Sequence, residues 1–179
     1  YNSVVCIDRE GDVRWHFGAL EHTKLNKPAM AIEKDDIIWI ADTGNQRILG
    51  IYQKDKSILT EIGGIHTKLF MNPCSVMPTR EGHLLVVDSV KKQLLKLSRA
   101  GQILWEFKDP QEIISPAYAE ELHNGHILFS DERLHVVKEL NQAGKVVWSY
   151  GTPKQLGKAP NQLFSPTFVT SLANENTLI

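Results

Sequence analysis

The chain is poor in several things at once. It has only two cysteines, Cys6 and Cys74, each isolated in an apolar run, so it carries no disulfide framework and the redox compartment stays open. Charge of one sign is missing too. Twenty basic residues face twenty-one acidic ones for a net −1, and no cationic run offers the basic stripe of a nucleic-acid binder. Apolar stretches stop at about six residues, too short to cross a bilayer as a helix, and no membrane insertion is expected. No signal-type segment is visible; because the chain opens at Tyr1 without Met, that leaves its localisation open. Helical periodicity is absent over any long stretch, and so are G-x-S-x-G, H-E-x-x-H, Walker and Gly-rich dinucleotide motifs.

What is present is repetition. Pro28, Pro73, Pro116 and Pro166 each open a similar stretch, "PAMAIE", "PCSVMP", "PAYAEEL" and "PTFVTSL". An apolar run closing on Asp follows three of them: "IIWIAD" to Asp42, "LLVVD" to Asp88 and "ILFSD" to Asp131. Alternating runs come next ("QRILGIY", "KQLLKLS", "LHVVKEL"), and then a Gly with Trp four places on, at Gly11/Trp15, Gly101/Trp105 and Gly144/Trp148. Period-two alternation marks half-buried strands, and Asn124-Gly125, Glu81-Gly82 and Ala143-Gly144 supply tight turns. Four short strands per unit of about 45 residues is the signature of a β-propeller blade, which buries its apolar faces on its neighbours.

The expected architecture is therefore all-β: one propeller domain or fragment over residues 1–179, built of four-stranded antiparallel blades. Complete blades are expected at about 28–63, 73–108 and 116–151, with half-blades at 1–18 and 166–179. Two arrangements accommodate the halves. In one, the chain is part of a longer, six-bladed propeller; in the other, the halves pair and close a four-bladed ring.

Residues 28–52, "PAMAIEKDDIIWIADTGNQRILGIY", resemble an NHL repeat, most specifically over Ala41–Ile48. Later units keep the Asp and lose the Gly-Asn. "IDREGDVRWHFG", "LSRAGQILWEF" and "LNQAGKVVWSYG" are similar to the Gly-to-Trp segment of PQQ-like repeats, and "LHNGHILFSD" and "LANENTLI" to turns of arylsulfotransferase-like propellers. These resemblances cover essentially the whole chain and imply one architecture with many possible functions.

The recurring residues have mechanical readings. The hairpin glycines at 11, 101 and 144 take positive φ. The three tryptophans wedge between blades, each with one N–H for a backbone acceptor. Asp42, Asp88 and Asp131 accept N–H groups of their own turns, and Arg47 braces the neighbouring turn. "HTKL" occurs twice, at His22–Leu25 and His66–Leu69, both times in the connection entering a blade. Sheets pack about 10 Å apart while a metal holds imidazole nitrogens at about 2 Å, so the echo reads as structural and no metal site is expected.

Variable loops on a rigid scaffold carry recognition. The expected ligand- or partner-binding residues are therefore on the loop face: His22, Lys24, Asn45, Arg47, His66, Lys68, Lys91, Lys92 and Arg133. This set is locally basic and suits an acidic protein, peptide or glycan. RNA ranks lower, since only Phe70 and Phe164 stand near as stacking aromatics. The leading expectation is a non-enzymatic binding or scaffold module with no cofactor and no catalytic residues. The alternative is a propeller enzyme of lyase or sulfo-group transferase type, with His22 or His66 beside Arg47 in the central funnel. Cys74 reads as a small buried hydrophobe, and His123 and His126 as solvated hairpin positions. One carboxylate of Glu120-Glu121 is expected to point into the channel. The sequence leaves the oligomeric state open.

Overall fold

A computed structural model describes residues 2–18, 23–174 and 176–179. The described chain is all-β, its one helical element being a single 3-10 turn at Thr43–Asn45. Strands β1 (Val4–Ile7) and β2 (Val13–Phe17) form a two-stranded sheet. The first four-stranded sheet runs β3 (Met30–Lys34), β4 (Ile37–Asp42), β5 (Arg47–Tyr52), β6 (Ile58–Gly63). The second runs β7 (Pro73–Pro78), β8 (Leu84–Asp88), β9 (Gln93–Leu97), β10 (Ile103–Phe107). The third runs β11 (Pro116–Glu121), β12 (Ile127–Asp131), β13 (Val136–Leu140), β14 (Val146–Tyr150). Strands β15 (Thr170–Ser171) and β16 (Thr177–Leu178) form a last pair. Pairing of these strands is antiparallel and sequential, an isolated bridge between Leu156 and Leu163 being parallel, and β1–β2 and β15–β16 remain separate sheets rather than joining into one.

The core lies between the sheets, as the alternation of apolar residues on both faces of each middle strand requires. Trp15 and Phe17 meet Ile38, Ile40, Leu49 and Ile51 of the next sheet. Trp39, Ile48 and Ile62 meet Val76, Val86 and Leu95. Val87, Leu94 and Phe107 meet Ala119, Ile127 and Phe129, and Tyr118, Leu128 and Val137 meet Val169. Adjacent residues of β9 thus serve opposite interfaces. Met30 of β3 and Met77 of β7 reach the Tyr118–Val169 cluster, so the innermost strands fill the centre with apolar side chains.

Each outer strand pair slips register at the same place. Cys6 faces Trp15 while Ile7 faces Val13; the same skip leaves Leu59, Leu104 and Val147 unpaired in β6, β10 and β14. A bulge of this kind adds twist and re-aims the next side chain. That next residue is the wedge: Trp15, Trp105, Trp148, and Thr60 in the unit that lacks Trp. Trp15 is 7% exposed and donates Nε1–H to Gln53 O at 3.0 Å. Trp105 is half-buried, and Trp148 is exposed rather than wedged, with Leu178 and Ile179 beside it. The hairpin glycines take the expected conformation, with φ of +91°, +84° and +78° at Gly11, Gly101 and Gly144.

Candidate functional site

Three buried carboxylates organise the loop face. Asp42 accepts from Asn26 N (2.7 Å), Asn45 Nδ2 (2.8 Å) and Arg47 Nε (2.8 Å). Asp88 accepts from Met71 N (2.7 Å), Asn72 N (3.2 Å) and Lys91 N (2.9 Å). Asp131 accepts from Ile114 N (2.7 Å), Ser115 N (2.9 Å), Arg133 N (3.1 Å) and Leu134 N (2.9 Å). Each therefore binds both its own turn and the connection entering its blade, which satisfies a carboxylate that water does not reach. Four places after each Asp the chain turns left-handed, at Gln46 (φ 56°), Lys92 (φ 57°) and His135 (φ 57°). His135 was expected inside a strand; it sits instead in this turn, where its Nδ1 accepts from Ser165 N at 3.1 Å.

The "HTKL" echo has a geometric cause. The Lys24 carbonyl accepts from Asn45 Nδ2 (3.0 Å) and from the Arg47 guanidinium (3.1 Å). The Lys68 and Leu69 carbonyls accept from Lys91 Nζ at 2.6 and 2.9 Å. In the third blade Lys138 Nζ captures the Glu112 carbonyl at 2.9 Å. A cation from the blade pins the incoming connection each time. Burial works against the Arg47 charge, but Asp42 and Glu61 hold it above its ordinary pKa. His22 lies outside the described residues, so its relation to His66 is not part of the geometry. Among the described residues, no group of three or more His, Cys, Asp or Glu is placed to hold a metal ion.

Of the expected recognition residues, Lys24, Asn45, Arg47 and His66 come together. They line a cleft of about 520 Å³ with Glu61 and Ile65, between the connections entering the first two blades. Asn45 and Arg47 form its braced wall. Lys24 and His66 stand exposed on its rim, and among the described residues neither side chain has a partner. Lys68, Lys92 and Arg133 are exposed elsewhere on the loops, while the Lys91 ammonium is committed to the chain's own carbonyls. Glu61 was missed by sequence reasoning. The signal was its place in the one closing run without Trp, just ahead of the Gly63-Gly64 pair.

Other chemistry-bearing groups are held by the scaffold. Glu120 accepts from Thr170 Oγ1 (3.0 Å) and Ser171 N (2.6 Å) of the next inner strand, and Glu121 pairs with Lys96 of the preceding blade. Neither carboxylate projects into the centre, contrary to expectation, because successive side chains of β11 face opposite blades. His126 is not a solvated turn residue: Nδ1 lies 2.5 Å from Glu139 Oε1. Burial pushes the Cys74 thiol up to about 11, and its Sγ lies 3.5 Å from Ala117 O. Burial and the neighbouring Glu120 raise Tyr118 as well. Phe70, a candidate stacking aromatic, is fully buried under Gly63, whereas Phe164 is 71% exposed.

Radial sheets with the core between them define an all-β propeller repeat chain. Solved structures share this fold. A streptogramin B lyase structure superposes with a TM-score of 0.73 at 18% identity over 98% of this chain. Virginiamycin B lyase from Staphylococcus aureus gives 0.71 at 14% over 98%, and a protein of unknown function from Bacteroides caccae 0.68 at 20% over 97%. The chain spans 54%, 55% and 61% of those three chains, about half their length. Neither a protein-family model nor a curated protein sequence matches it. At these identities the likeness is one of fold.

Proposed function

We propose that this is an NHL-like propeller module that binds an acidic protein segment or peptide on its loop face without catalysing a reaction. The observation that supports it is the cleft between the first two blade entries. Its wall is rigidified by the Asp42–Arg47–Glu61 contacts, while Lys24 and His66 on the rim have no side-chain partner among the described residues. A braced wall lowers the ordering cost of binding, the Lys24 ammonium on the rim steers an anionic partner, and the His66 ring offers an N–H to it. Ile65, 59% exposed beside them, adds an apolar contact.

The lyases share only the fold, and the inner strands here present Met30, Met77 and Tyr118 where a funnel site would need His beside a cation. The test puts carboxylates on the rim where the scaffold makes no use of the native side chains: Lys24→Glu with His66→Glu, probed with a labelled Glu-rich decapeptide by anisotropy at low salt. Loss of roughly tenfold or more in affinity, from more than about 1.4 kcal/mol of lost attraction, is expected. Unchanged capture by a normally folded variant would move the site elsewhere.

A further inference from the structure

The wedge position that follows each outer-strand bulge is treated differently in successive blades: closed at Trp15, half-open at Trp105 and exposed at Trp148. At Trp15 the wedge is closed, with the ring buried and its N–H donated to the Gln53 carbonyl of the next blade. At Trp105 the indole is only half-buried, and its N–H meets no acceptor among the described residues. A recess of about 400 Å³ opens beside it instead, floored by Leu104, Trp105 and Ile127. A second recess of about 260 Å³ shares Glu81, Lys96, Gly125 and Gln142 with the first, so the two form one groove. It follows the boundary between the second and third blades, on the face of the hairpin turns and away from the loop cleft.

The charges in this groove cancel. Lys96 is paired with Glu121, and the Arg80 cation along the groove offsets the Glu81 carboxylate, whose Oε2 lies 3.4 Å from His83 Nδ1. Arg80, at the far end, donates to the His123 carbonyl at 3.3 Å. What remains is an apolar floor with a free indole N–H, a primary amide at Gln142 and a side-chain carboxylate at Glu81 that is 72% exposed. The Gln142 amide lies over Gly125, which leaves it room beside the groove: a Cβ there would stand 2.6 Å from its Nε2. Floor and rim together suit a ligand with an apolar face and hydroxyls that both donate and accept. A net-anionic or net-cationic ligand finds no uncompensated charge of opposite sign at the floor.

From this groove we propose a second binding site, specific for an uncharged oligosaccharide, with Trp105 as its platform and Glu81 and Gln142 as its hydrogen-bonding rim. The chain has four Trp residues, so its indole N–H signals can be followed individually by NMR. Trp105→Phe assigns the relevant signal. Cello-, laminari-, manno- and chitohexaose are the probes, titrated to ~10 mM, the weak end of useful affinity. One of them should shift the Trp105 signal while those of buried Trp15 and Trp39 stay in place. Glu81→Ala with Gln142→Ala should weaken that response by about tenfold, the loss of one or two net hydrogen bonds. The Lys24→Glu/His66→Glu variant should leave it unchanged. No shift with any of the four probes, a response indifferent to the Glu81 and Gln142 changes, or a Trp105 shift with the Glu-rich decapeptide instead would each overturn the assignment.

Discussion

Cys74 shows how far position alone decides the chemistry of a side chain. It follows Pro73 on an inner strand, and the register of β7 against β8 skips it, so the thiol lies against the carbonyls of the next blade. Burial there disfavours the thiolate, raising the pKa from 9.0 to about 11. The folded protein therefore keeps this proton through a window in which the unfolded chain releases it. Unfolding is then favoured as pH rises from 9 toward 11, and the stability tied to the neutral thiol is lost over that window. Cys74→Ala should flatten this alkaline decline, measured as urea midpoints below and inside the window. Thiol labelling gives a parallel reading: exposed Cys6 reacts in the folded state, and Cys74 only at the rate of opening. Equal labelling of both thiols would show that the β7–β11 contact is open in solution.

At the scale of the element, the Asp-led turn is the unit that repeats. Its carboxylate stands in for a backbone acceptor that neither the turn nor the entering connection can supply from strand pairing. Replacing Asp88 with Ala leaves Met71 N, Asn72 N and Lys91 N without their acceptor. The expected cost is about 3 kcal/mol, since buried donors left unpaired forfeit their hydration as well as the bond. Asp88→Asn, which keeps one oxygen, should cost less by chemical denaturation. Equal costs would mean that the negative charge, not the acceptor geometry, holds the turn.

This unit was legible in the sequence because it needs particular residues at particular offsets: Pro to start a strand, Asp to end one, Gly where φ turns positive. Side-chain commitment was much less legible. Lys91 reads as a free cation for a partner, yet it spends its donors on carbonyls of the incoming connection; Arg47, expected both to brace a turn and to meet a partner, gives its donors to Asp42, Glu61 and the Lys24 carbonyl. A cation pattern cannot say whether its acceptor lies in the same chain. Phe70 stands in a loop between Leu69 and Met71, and packing beneath Gly63 buries it while Met71 stays 53% exposed; nothing local in "TKLFMNP" says which of the three goes inside.

The whole molecule is a row of sheets whose core clusters lie mainly between neighbours, with Met30 of β3 reaching past the second sheet to the Tyr118–Val169 cluster, and this makes a sharp statement about how stability is shared. On β9, Leu94 belongs to the cluster between the second and third sheets, and Leu95 to that between the first and second. Both side chains are essentially without solvent exposure, so Leu→Ala at either should cost about 2–5 kcal/mol. The two cavities, one residue apart in sequence, open on opposite faces of one sheet. If coupling runs through nearest-neighbour contacts, Leu95→Ala should speed native-state hydrogen exchange in β3–β6 far more than in β11–β14. Leu94→Ala should do the reverse. The sheet β7–β10, the one with a four-stranded sheet packed on each face among the described residues, should exchange most slowly in the unsubstituted protein. The pairs β1–β2 and β15–β16 should exchange fastest, since Val5, Ile7 and Val13 on one and Leu178 on the other are more than half exposed. The same acceleration everywhere in both variants would mean that the sheets unfold as one body, and that the row is coupled by more than the contacts between neighbours.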